Sequence, residues 1–382
     1  MLSPLHASLP SNAGVLLIAA ISGRALAAAA RRAGYRPFVA DLFCDTDTVA
    51  LAERAERLKG DLRSGIDGAQ LIPTLRALAG EEQPVAVVLG SGFERRPELV
   101  DEIGNQFPLA GNRGSTIRRV KDPQALSDDC AALGIPHPEF QWEAPPDPRN
   151  WVAKTVGAAG GQHVKQADAT GPCTAGRYFQ RFIPGKSISA LFVADGKHAQ
   201  IVGFSRQWTS PAPTAPYRYG GAVRIRRFDR RETTMIEGWL SGLTDRAGLL
   251  GLCSADFIRS EDGFWLVEVN PRPGATLDIF DSPKARLMDL HLNATRGNAW
   301  YCLPRFTDSM ASMIAYAADP IPYFPALDWP DWTADHQSEG TSLAAGDPVC
   351  TVFARGPSAV ATQRMLEKQA KQLKSLWEGT RR

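Results

Sequence analysis

Two strand-like runs on either side of a Glu-Asp-Gly sequence constrain the fold of this chain more than any other feature. Such a sequence between strand-like runs is typical of the tight turn of a β-hairpin. If the hairpin is centred on Asp262, cross-strand partners have numbers that add to a constant. Ile258 then lies opposite Leu266, and Asp256 lies directly opposite Glu268.

Two opposed carboxylates predict a metal site on this hairpin. Side chains alternate along a strand, so Asn270 lies on the same face as Glu268. Like charges that lie opposite each other destabilise a sheet unless a cation lies between them. Carboxylate and amide oxygens favour hard cations, so we predict that Asp256, Glu268 and Asn270 bind Mg²⁺ or Mn²⁺. The alternative is an exposed hairpin with incidental acids.

The first hundred residues alternate strand-like and helix-like segments, which predicts an α/β domain with a parallel sheet. Apolar runs at 14–22, 37–42 and 84–89 are the expected strands, and 25–32, 47–58 and 68–79 the expected helices. Ligands bind at the carboxyl ends of such strands. Candidate substrate residues at this edge are Gly23, Arg24, Ser91 and Glu94.

A nicotinamide-dependent oxidoreductase is not indicated by this domain. The turn after the first strand reads SGRALA and lacks the GxGxxG pattern of dinucleotide-binding turns. The glycines of these turns are equally consistent with a purely structural role.

A lysine followed by a glycine-rich stretch predicts a phosphate-binding loop. Lys154 lies in a short strand-like run, and Gly157, Gly160 and Gly161 follow it. Glycines let backbone N–H groups approach phosphate oxygens, and a lysine supplies a positive charge. The order differs from a Walker P-loop, in which the lysine follows the glycines. A simple hairpin turn is the alternative, and His163 in the same stretch is consistent with an exposed loop residue.

The segment 179–190 has the pattern of a strand, a Pro-Gly turn and a second strand. The backbone of such a segment can form hydrogen bonds with the edge of an adenine ring. A structural role is the alternative for this segment when it is considered alone.

The composition argues against two classes of partner. The chain has 382 residues with 43 Lys and Arg against 41 Asp and Glu, a formal charge of +2. That balance does not favour binding to nucleic acid or to a membrane surface. No apolar run reaches the length of a membrane span. No basic residue precedes the apolar run at 15–21, so we expect a cytoplasmic protein rather than a secreted one. The six scattered cysteines predict free, buried thiols.

Taken together, the three motifs resemble the ATP-grasp superfamily, whose members bind ATP between two α+β subdomains. The resemblance implies three regions: a Rossmann-like parallel-sheet domain at 1–118, an ATP-grasp domain at 119–300, and a small β-rich unit with a terminal helix at 301–382. The overall class is α/β and α+β. The last region resembles the branch related to biotin carboxylase, on the sequences WPDWTAD and GDPVCTVFARG. A Pro-rich stretch at 138–150 has the composition of a linker.

The resemblance also implies roles for individual residues. Lys121 resembles a phosphate-binding lysine at the start of the first helix of the grasp, and Lys154 resembles the second phosphate lysine. Arg272 resembles an arginine that stabilises the acyl-phosphate or the charge of the transition state. The adenine-edge positions correspond to Gln180, Arg181 and Ile183, and the ribose position to Ser187. From their place between the adenine segment and the hairpin, we expect Arg206, Gly220 and Gly221 to line the acceptor site.

These roles imply an ATP-dependent, ADP-forming ligase that joins a carboxylate to an amine through an acyl-phosphate. The expected cofactors are ATP and Mg²⁺ or Mn²⁺, and the partners are small molecules, with the oligomeric state left open. Biotin carboxylases continue after the arginine with a Val-Glu-His sequence, whereas this chain reads PGATLDIFD. Ser254 also replaces the arginine of D-alanine-type ligases.

Two further alternatives concern the reaction and the substrate. A carboligase that uses bicarbonate is disfavoured by the missing glutamate, and a nucleotide-binding protein without ligase activity is disfavoured by the intact metal ligands. The sequence also resembles carboligase-like proteins of bacteria with methanopterin-linked one-carbon metabolism. That resemblance implies glutamate–amine ligation in the biosynthesis of a C1 carrier such as methanopterin or methylofuran.

Overall fold

The N-terminal region of the computed structural model is a parallel five-stranded sheet covered by helices. The structure describes residues 13–62, 64–168, 176–298 and 302–378. The strand order is β3-β2-β1-β6-β7, and every pair is parallel. The elements are β1 (Val15–Ala20), α1 (Arg24–Arg32), β2 (Arg36–Asp41), α2 (Thr46–Leu51), β3 (Arg54–Arg57), β4 (Gly60–Asp61), β5 (Gly65–Ile66), α3 (Gly68–Ala79), β6 (Ala86–Leu89), α4 (Pro97–Gln106), β7 (Leu109–Ala110) and α5 (Gly114–Lys121).

One predicted helix in this region is wrong over half its length. The segment 47–58 is helical only as far as Leu51, and Arg54–Arg57 forms the edge strand β3. Phe38 of β2 lies opposite Arg54, so pairing with a neighbouring strand determines the conformation. Local helix propensity is a weak preference that such tertiary pairing overrides.

A small antiparallel sheet follows, with the order β10-β9-β11-β8. Its first strand, Phe140–Gln141, lies within the segment that was predicted to be a linker. Phe140 pairs with Gln180, so that part of the segment is an edge of the sheet. The elements are α6 (Pro123–Leu133), β8 (Phe140–Gln141), β9 (Trp151–Thr155), β10 (Lys165–Gln166) and β11 (Arg177–Arg181).

The largest sheet has eight strands in the order β16-β15-β12-β13-β14-β17-β19-β18. The elements are β12 (Lys186–Asp195), β13 (Ala199–Thr209), β14 (Tyr219–Ile225), α7 (Arg230–Ala247), β15 (Leu250–Ser260), β16 (Gly263–Asn270), α8 (Leu277–Phe280), α9 (Leu287–Thr295), β17 (Ser309–Tyr316), β18 (Thr333–Ala334), β19 (Pro348–Gly356) and α10 (Ala359–Glu378). Gly221 of β14 lies opposite Met313 of β17, so the C-terminal strands extend the same sheet. The domain boundaries at 118 and 300 stay predictions.

The two faces of this sheet are covered by different regions. One face packs against α8, α9 and helix α1, with Ala27, Leu191 and Phe280 in one apolar cluster. The other face packs against α6 and α7, with Leu126 and Leu240 in a second cluster. The first packing brings the carboxyl ends of the parallel strands close to the end of the β15–β16 hairpin.

The cysteines are only partly as expected. Cys130, Cys253 and Cys350 are buried free thiols, whereas Cys302 is exposed. The structure has Cys44 at intermediate burial, and Cys173 lies outside the described residues. No helix in the described ranges combines the length and the hydropathy needed to cross a membrane.

Candidate active site

The β15–β16 hairpin pairs the two predicted carboxylates, although its register differs from the prediction near the turn. Asp256 lies opposite Glu268, as expected. Closer to the turn, Ile258 lies opposite Trp265 rather than Leu266. The turn is one residue tighter than predicted, with Gly263 at φ +119° opening the second strand.

A register shift between Asp256 and Phe257 restores the pairing of the acids. Phe257 lies opposite Leu266 and Asp256 opposite Glu268, so Val267 is the extra residue of a β-bulge. Two errors in the predicted register therefore cancel at the acid pair. Bulges are common beside functional sites because they change the direction in which a side chain points.

Lys121 lies between the side chains of the predicted metal ligands. Its Nζ donates hydrogen bonds to Glu268 Oε1 at 2.6 Å and to Asn270 Oδ1 at 2.8 Å. Asn270 Nδ2 in turn donates to Asp256 Oδ2 at 3.1 Å. The ammonium group of Lys121 is thus hydrogen-bonded to two of the three predicted metal ligands. Carboxylate and amide oxygens of this kind are also the ligands that a hard divalent cation prefers.

The helix position of Lys121 differs from the one that the resemblance implied. Lys121 is the last residue of α5, and Asp122 caps the next helix, α6. Proline restricts the residue before it to extended conformations, and Asp122 has ψ 119° before Pro123. The helix that the resemblance placed at Lys121 therefore begins at Pro123, and Lys121 ends the helix before it.

The two opposed carboxylates have pKa values shifted in opposite directions. Burial, and then the charge of Glu268, raises the pKa of Asp256 to about 6. Burial also acts to raise the pKa of Glu268, but the ammonium groups of Lys121 and Lys154 outweigh it and lower that pKa to about 2. Glu268 is therefore the fixed negative charge of the pair.

Lys154 extends from strand β9 into the same cavity. Its Nζ donates to Gln180 Oε1 at 3.1 Å and lies 5.8 Å from the centre of the Tyr178 ring. Burial acts to lower the pKa of Lys154, but Tyr178 and Glu268 outweigh it and raise that pKa. Lys121, Lys154, Gln180 and Glu268 all line one cavity beneath the glycine-rich loop.

The remaining residues of the predicted adenine and ribose positions follow Gln180 in the sequence and are not among the residues that line this cavity. Arg181 is exposed, with its guanidinium 5.6 Å from the centre of the Trp151 ring. Ile183 is half-buried in the turn after β11, and Ser187 lies on β12 opposite Ile258. Their roles in adenine and ribose binding stay predictions.

The glycine-rich loop contacts two other regions of the chain. Gly157, Gly160 and Gly161 have φ angles of +69°, +72° and +71°, which favour glycine. A Cβ at Gly157 would lie 2.5 Å from the carbonyl oxygen of Glu94. A Cβ at Gly161 would lie 2.0 Å from the carbonyl oxygen of Tyr217, just before β14. Glycine is therefore required by close contact as well as by backbone angle.

The candidate substrate residues at the sheet edge have different surroundings. The amide of Gly23 donates to Asp41 Oδ2 at 2.6 Å, and the carbonyl of Ser91 accepts from the amide of Ile21. The guanidinium of Arg24 binds the carboxylates of two aspartates, Asp278 and Asp335. These contacts hold the edge together, and a substrate role for the three residues stays a prediction.

Glu94 contacts the hairpin region directly. Its Oε1 accepts a short hydrogen bond from Arg272 Nε, and its Oε2 accepts one from the amide of Gly92 at 2.9 Å. Arg272, the predicted catalytic arginine, is thus bound to Glu94, which lies in the predicted N-terminal domain.

The predicted acceptor residues lie on the central strands. Arg206 Nη2 donates to Gln363 Oε1 of α10 at 2.6 Å. Gly220 and Gly221 lie on β14, where a Cβ at Gly221 would lie 2.4 Å from the carbonyl oxygen of Ser312. The structure shows a close-packing reason for the second glycine, and acceptor binding stays a prediction.

Two residues beside the site were missed by the sequence analysis. Gln207 Nε2 lies 3.4 Å from Asp256 Oδ1. His137 lines the cavity and donates from Nδ1 to the carbonyl of Leu266 at 2.7 Å, while burial lowers the pKa of His137 to about 4. Neither lies in a motif. The position of Gln207 on β13 brings it close to Asp256, and the hydrogen bond with Leu266 of β16 holds His137 beside the cavity.

Comparison with known proteins supports this fold. A family model described as an ATP-grasp domain matches residues 122–276. An L-amino acid ligase from Bacillus licheniformis superimposes with a TM-score of 0.70 at 13% identity, covering 94% of this chain and 97% of that one. The biotin carboxylase domain of Hydrogenobacter thermophilus 2-oxoglutarate carboxylase, a dimer in complex with MgADP and bicarbonate, gives 0.70 at 12% identity, covering 92% and 89%. An N5-carboxyaminoimidazole ribonucleotide synthetase gives 0.67 at 13%, covering 97% and 99%.

Proposed function

We propose that the protein is an ATP-dependent, ADP-forming ligase that joins a carboxylate to an amine, because a family model described as an ATP-grasp domain matches residues 122–276. The observation that carries the proposal is the group of Asp256, Glu268 and Asn270 with two buried lysines beneath a glycine-rich loop. This group would supply oxygen ligands for a divalent cation and positive charge for phosphate oxygens in one place. The cofactors of the proposal are ATP and Mg²⁺, with Mn²⁺ as a substitute.

Phosphoryl transfer depends mainly on position and on charge neutralisation. In the proposal, Glu268, Asp256 and Asn270 would hold a magnesium ion, which would neutralise negative charge on the phosphate oxygens. Lys154 and Lys121 would supply positive charge to the phosphate oxygens. The loop at Gly157–Gly161 excludes water, which protects a hydrolysable acyl-phosphate.

The second half of the proposed reaction is the attack of an amine on that acyl-phosphate. A carboxylate oxygen of the acid substrate first attacks the γ-phosphorus, and ADP leaves. The amine nitrogen then attacks the acyl carbon, phosphate leaves, and the nitrogen loses a proton. Arg272 stabilises the negative oxygen that develops on the acyl carbon, because a guanidinium close to that oxygen is worth more in the transition state than in the ground state.

For the substrate, we propose L-glutamate as the acid and a primary amine as the acceptor, in the assembly of a C1 carrier such as methanopterin or methylofuran. This rests on the sequence resemblance alone. The bicarbonate-using carboligase is the competing candidate, favoured by the fold likeness to a biotin carboxylase domain. Against it, residues 273–276 read Pro-Gly-Ala-Thr and contain no carboxylate to activate bicarbonate.

Product analysis tests the proposal. The enzyme is incubated with MgATP, hydroxylamine and one acid at a time from a panel of L-amino acids, dicarboxylic acids and bicarbonate. We expect ADP, phosphate and a hydroxamate with at least one organic acid, beginning with L-glutamate. Glu268→Gln should abolish this turnover, whereas Glu261→Gln, in the exposed turn of the same hairpin, should retain it.

The other outcomes each contradict part of the proposal. AMP and pyrophosphate would mean adenylate chemistry. ADP release with bicarbonate alone would favour the carboligase. No nucleotide turnover with any acid, at concentrations that saturate ATP binding, would leave a nucleotide-binding protein and overturn the ligase.

A further inference from the structure

Glu94 is a buried carboxylate of the N-terminal sheet that binds the arginine following the metal hairpin. It lies in the loop after β6, and its side chain is 4% exposed. One oxygen accepts from Arg272 Nε, and the other accepts from the amide of Gly92 at 2.9 Å. Both oxygens are therefore held, and the carboxylate has a fixed position in its own loop.

The contact determines how the guanidinium of Arg272 is oriented. The backbone amide of Arg272 donates to the carbonyl of Asn270 at 2.9 Å, so its main chain is tied to a predicted metal ligand. Its Nη1 makes only a long contact of 3.4 Å with the carbonyl of Pro273. A Cβ at Gly274 would lie 3.0 Å from Nη1, so glycine leaves space beside the guanidinium. Nε binds the carboxylate, and among the described residues the Nη groups have no carboxylate partner, so the proposal assigns them to a ligand.

The charges around this pair explain why the carboxylate is ionised although it is buried. Burial acts to raise the pKa of Glu94, but Arg272 and Lys121 outweigh it and keep that pKa below its usual value. A buried arginine without a partner is costly, and its side chain is free to take several conformations. The contact with Glu94 pairs the charge of Arg272 and restricts the conformations of its side chain.

The same segment also supports the glycine-rich loop. Gly157 packs against the backbone of Glu94 and Arg95 so closely that a Cβ would lie 2.5 Å from the carbonyl oxygen of Glu94 and 3.0 Å from the Cα of Arg95. One short segment of the N-terminal region therefore contacts the loop above the cavity and the arginine beside it.

We propose that Glu94 is a positioning residue for the ligase reaction: it binds Nε of Arg272 and so directs the remaining guanidinium N–H groups at the reacting acyl group. This rests on the proposed function, because it assigns Arg272 to the charge that develops during transfer. Glu94 acts through Arg272 and does not itself contact the acid or the amine.

A double-mutant cycle tests whether Glu94 acts through Arg272. The variants are Glu94→Gln, Glu94→Asp, Arg272→Gln and the Glu94→Gln/Arg272→Gln pair. The matched control is Glu98→Gln, because the Glu98 side chain is 61% exposed on the next helix. Each protein is checked for folding by thermal unfolding, and kcat and KM for MgATP are measured by ADP release with the acid that is active in the hydroxamate assay.

We expect Glu94→Gln to lower kcat by about 10- to 100-fold, because small misplacements of a transition-state ligand cost that much. KM for MgATP should change by less than about twofold, since the lost contact acts on the transition state. Glu94→Asp, which keeps the charge, should be intermediate, and Glu98→Gln should match wild type. In the Arg272→Gln background, Glu94→Gln should have no further effect, within about twofold.

An equal loss of kcat in both backgrounds, or a loss confined to KM, would overturn the proposal. A readout without turnover separates it from the proposed function. The ¹⁵Nε resonance of Arg272, assigned by its loss in Arg272→Gln, should shift and exchange faster with water in Glu94→Gln. An unchanged resonance would contradict the positioning role even in an active ligase. Wild type without turnover but with the expected shift would instead contradict the ligase.

Discussion

Arg24 and Arg272 are arginines near the carboxyl edge of the parallel sheet, with side chains 8% and 12% exposed, but they differ in how many of their donors are bound. Arg24 Nε binds Asp335 at 2.8 Å, and its two Nη groups bind Asp278 at 2.7 and 2.6 Å. Arg272 binds one carboxylate, that of Glu94, through Nε. The two arginines were both predicted to serve the active site, and only Arg272 has strong donors left over.

The surrounding charge differs in the same way. Near Arg24, burial and then the charge of Asp335 raise the pKa of Asp45 to about 7, so that neighbourhood has more carboxylates than it can neutralise. Near Arg272, Lys121 adds positive charge to the site. Arg24 joins helix α1, helix α8 and the segment around 335, whereas Arg272 is the arginine that the proposed reaction uses. Counting bound donors separates the two roles where position along a strand cannot.

The largest expected effect is the loss of folding stability when Arg24 is replaced. Arg24→Gln leaves Asp278 and Asp335, whose side chains are 12% and 23% exposed, without their cation, which should lower the free energy of unfolding by about 3 kcal/mol. Urea denaturation followed by far-UV circular dichroism measures this change. The control Arg95→Gln, at an exposed position, should stay within about 0.5 kcal/mol of wild type. A stable Arg24→Gln protein with impaired substrate binding would reverse the comparison.

Arg272→Lys should show the opposite division between stability and rate. Lysine keeps the charge opposite Glu94 but loses the planar fork of the guanidinium, so kcat should fall by about 100-fold while ATP affinity changes little. The unfolding free energy should change by less than about 1 kcal/mol, since the buried carboxylate keeps a cation. Steady-state kinetics and calorimetry measure the two effects. Full kcat with weakened ATP binding would show that Arg272 is a nucleotide ligand only.

A smaller effect sharpens the charge difference between the two regions. The pKa of Asp45 is raised from 3.8 to about 7 on folding, so the folded state binds this proton more tightly than the unfolded chain. Its contribution to stability is therefore present at low pH and is lost as pH rises through about 7. Asp45→Asn cannot titrate, and asparagine can still cap α2 by accepting from the amide of Thr48.

Urea denaturation of wild type and Asp45→Asn at pH 5.5 and pH 8 measures this effect. The stability of Asp45→Asn relative to wild type should increase from the lower to the higher pH. A difference that is equal at the two pH values would mean that the carboxylates around Arg24 are not in excess.

Much of the fold could be predicted because the local patterns and the long-range pairing agree. The continuous apolar run at 14–22 forms β1 with every residue of Val15–Ala20 buried, as a central parallel strand requires. The segment 47–58 was wrong because β3 exists only through its pairing with β2. The prediction of a linker at 138–150 was wrong over β8 for the same reason, since β8 forms only by pairing with β11.

In the candidate site too, the contacts set by local pattern could be predicted, and those between residues far apart in the sequence could not. The opposition of Asp256 and Glu268 could be predicted because turn chemistry limits the register of a hairpin, although the bulge at Val267 was needed to preserve it. The contacts of Arg272 with Glu94 and of Lys121 with Glu268 join residues 178 and 147 positions apart. No periodicity or spacing in a single sequence reports on such pairs. Glu94 was selected as a substrate residue, and its contact with Arg272 emerged only from the fold.

Binding of ATP with and without Mg²⁺ tests most directly whether the hairpin acids hold the metal of a metal–nucleotide complex. Isothermal titration calorimetry is carried out on wild type, Glu268→Gln and the control Glu261→Gln, each with Mg²⁺ or with EDTA. The account predicts that wild type and Glu261→Gln bind ATP at least about 10-fold (about 1.4 kcal/mol) more tightly with Mg²⁺. Glu268→Gln should lose that difference while keeping its fold. Equal ATP affinity with and without Mg²⁺ in wild type, or a full Mg²⁺ effect in Glu268→Gln, would contradict the metal site.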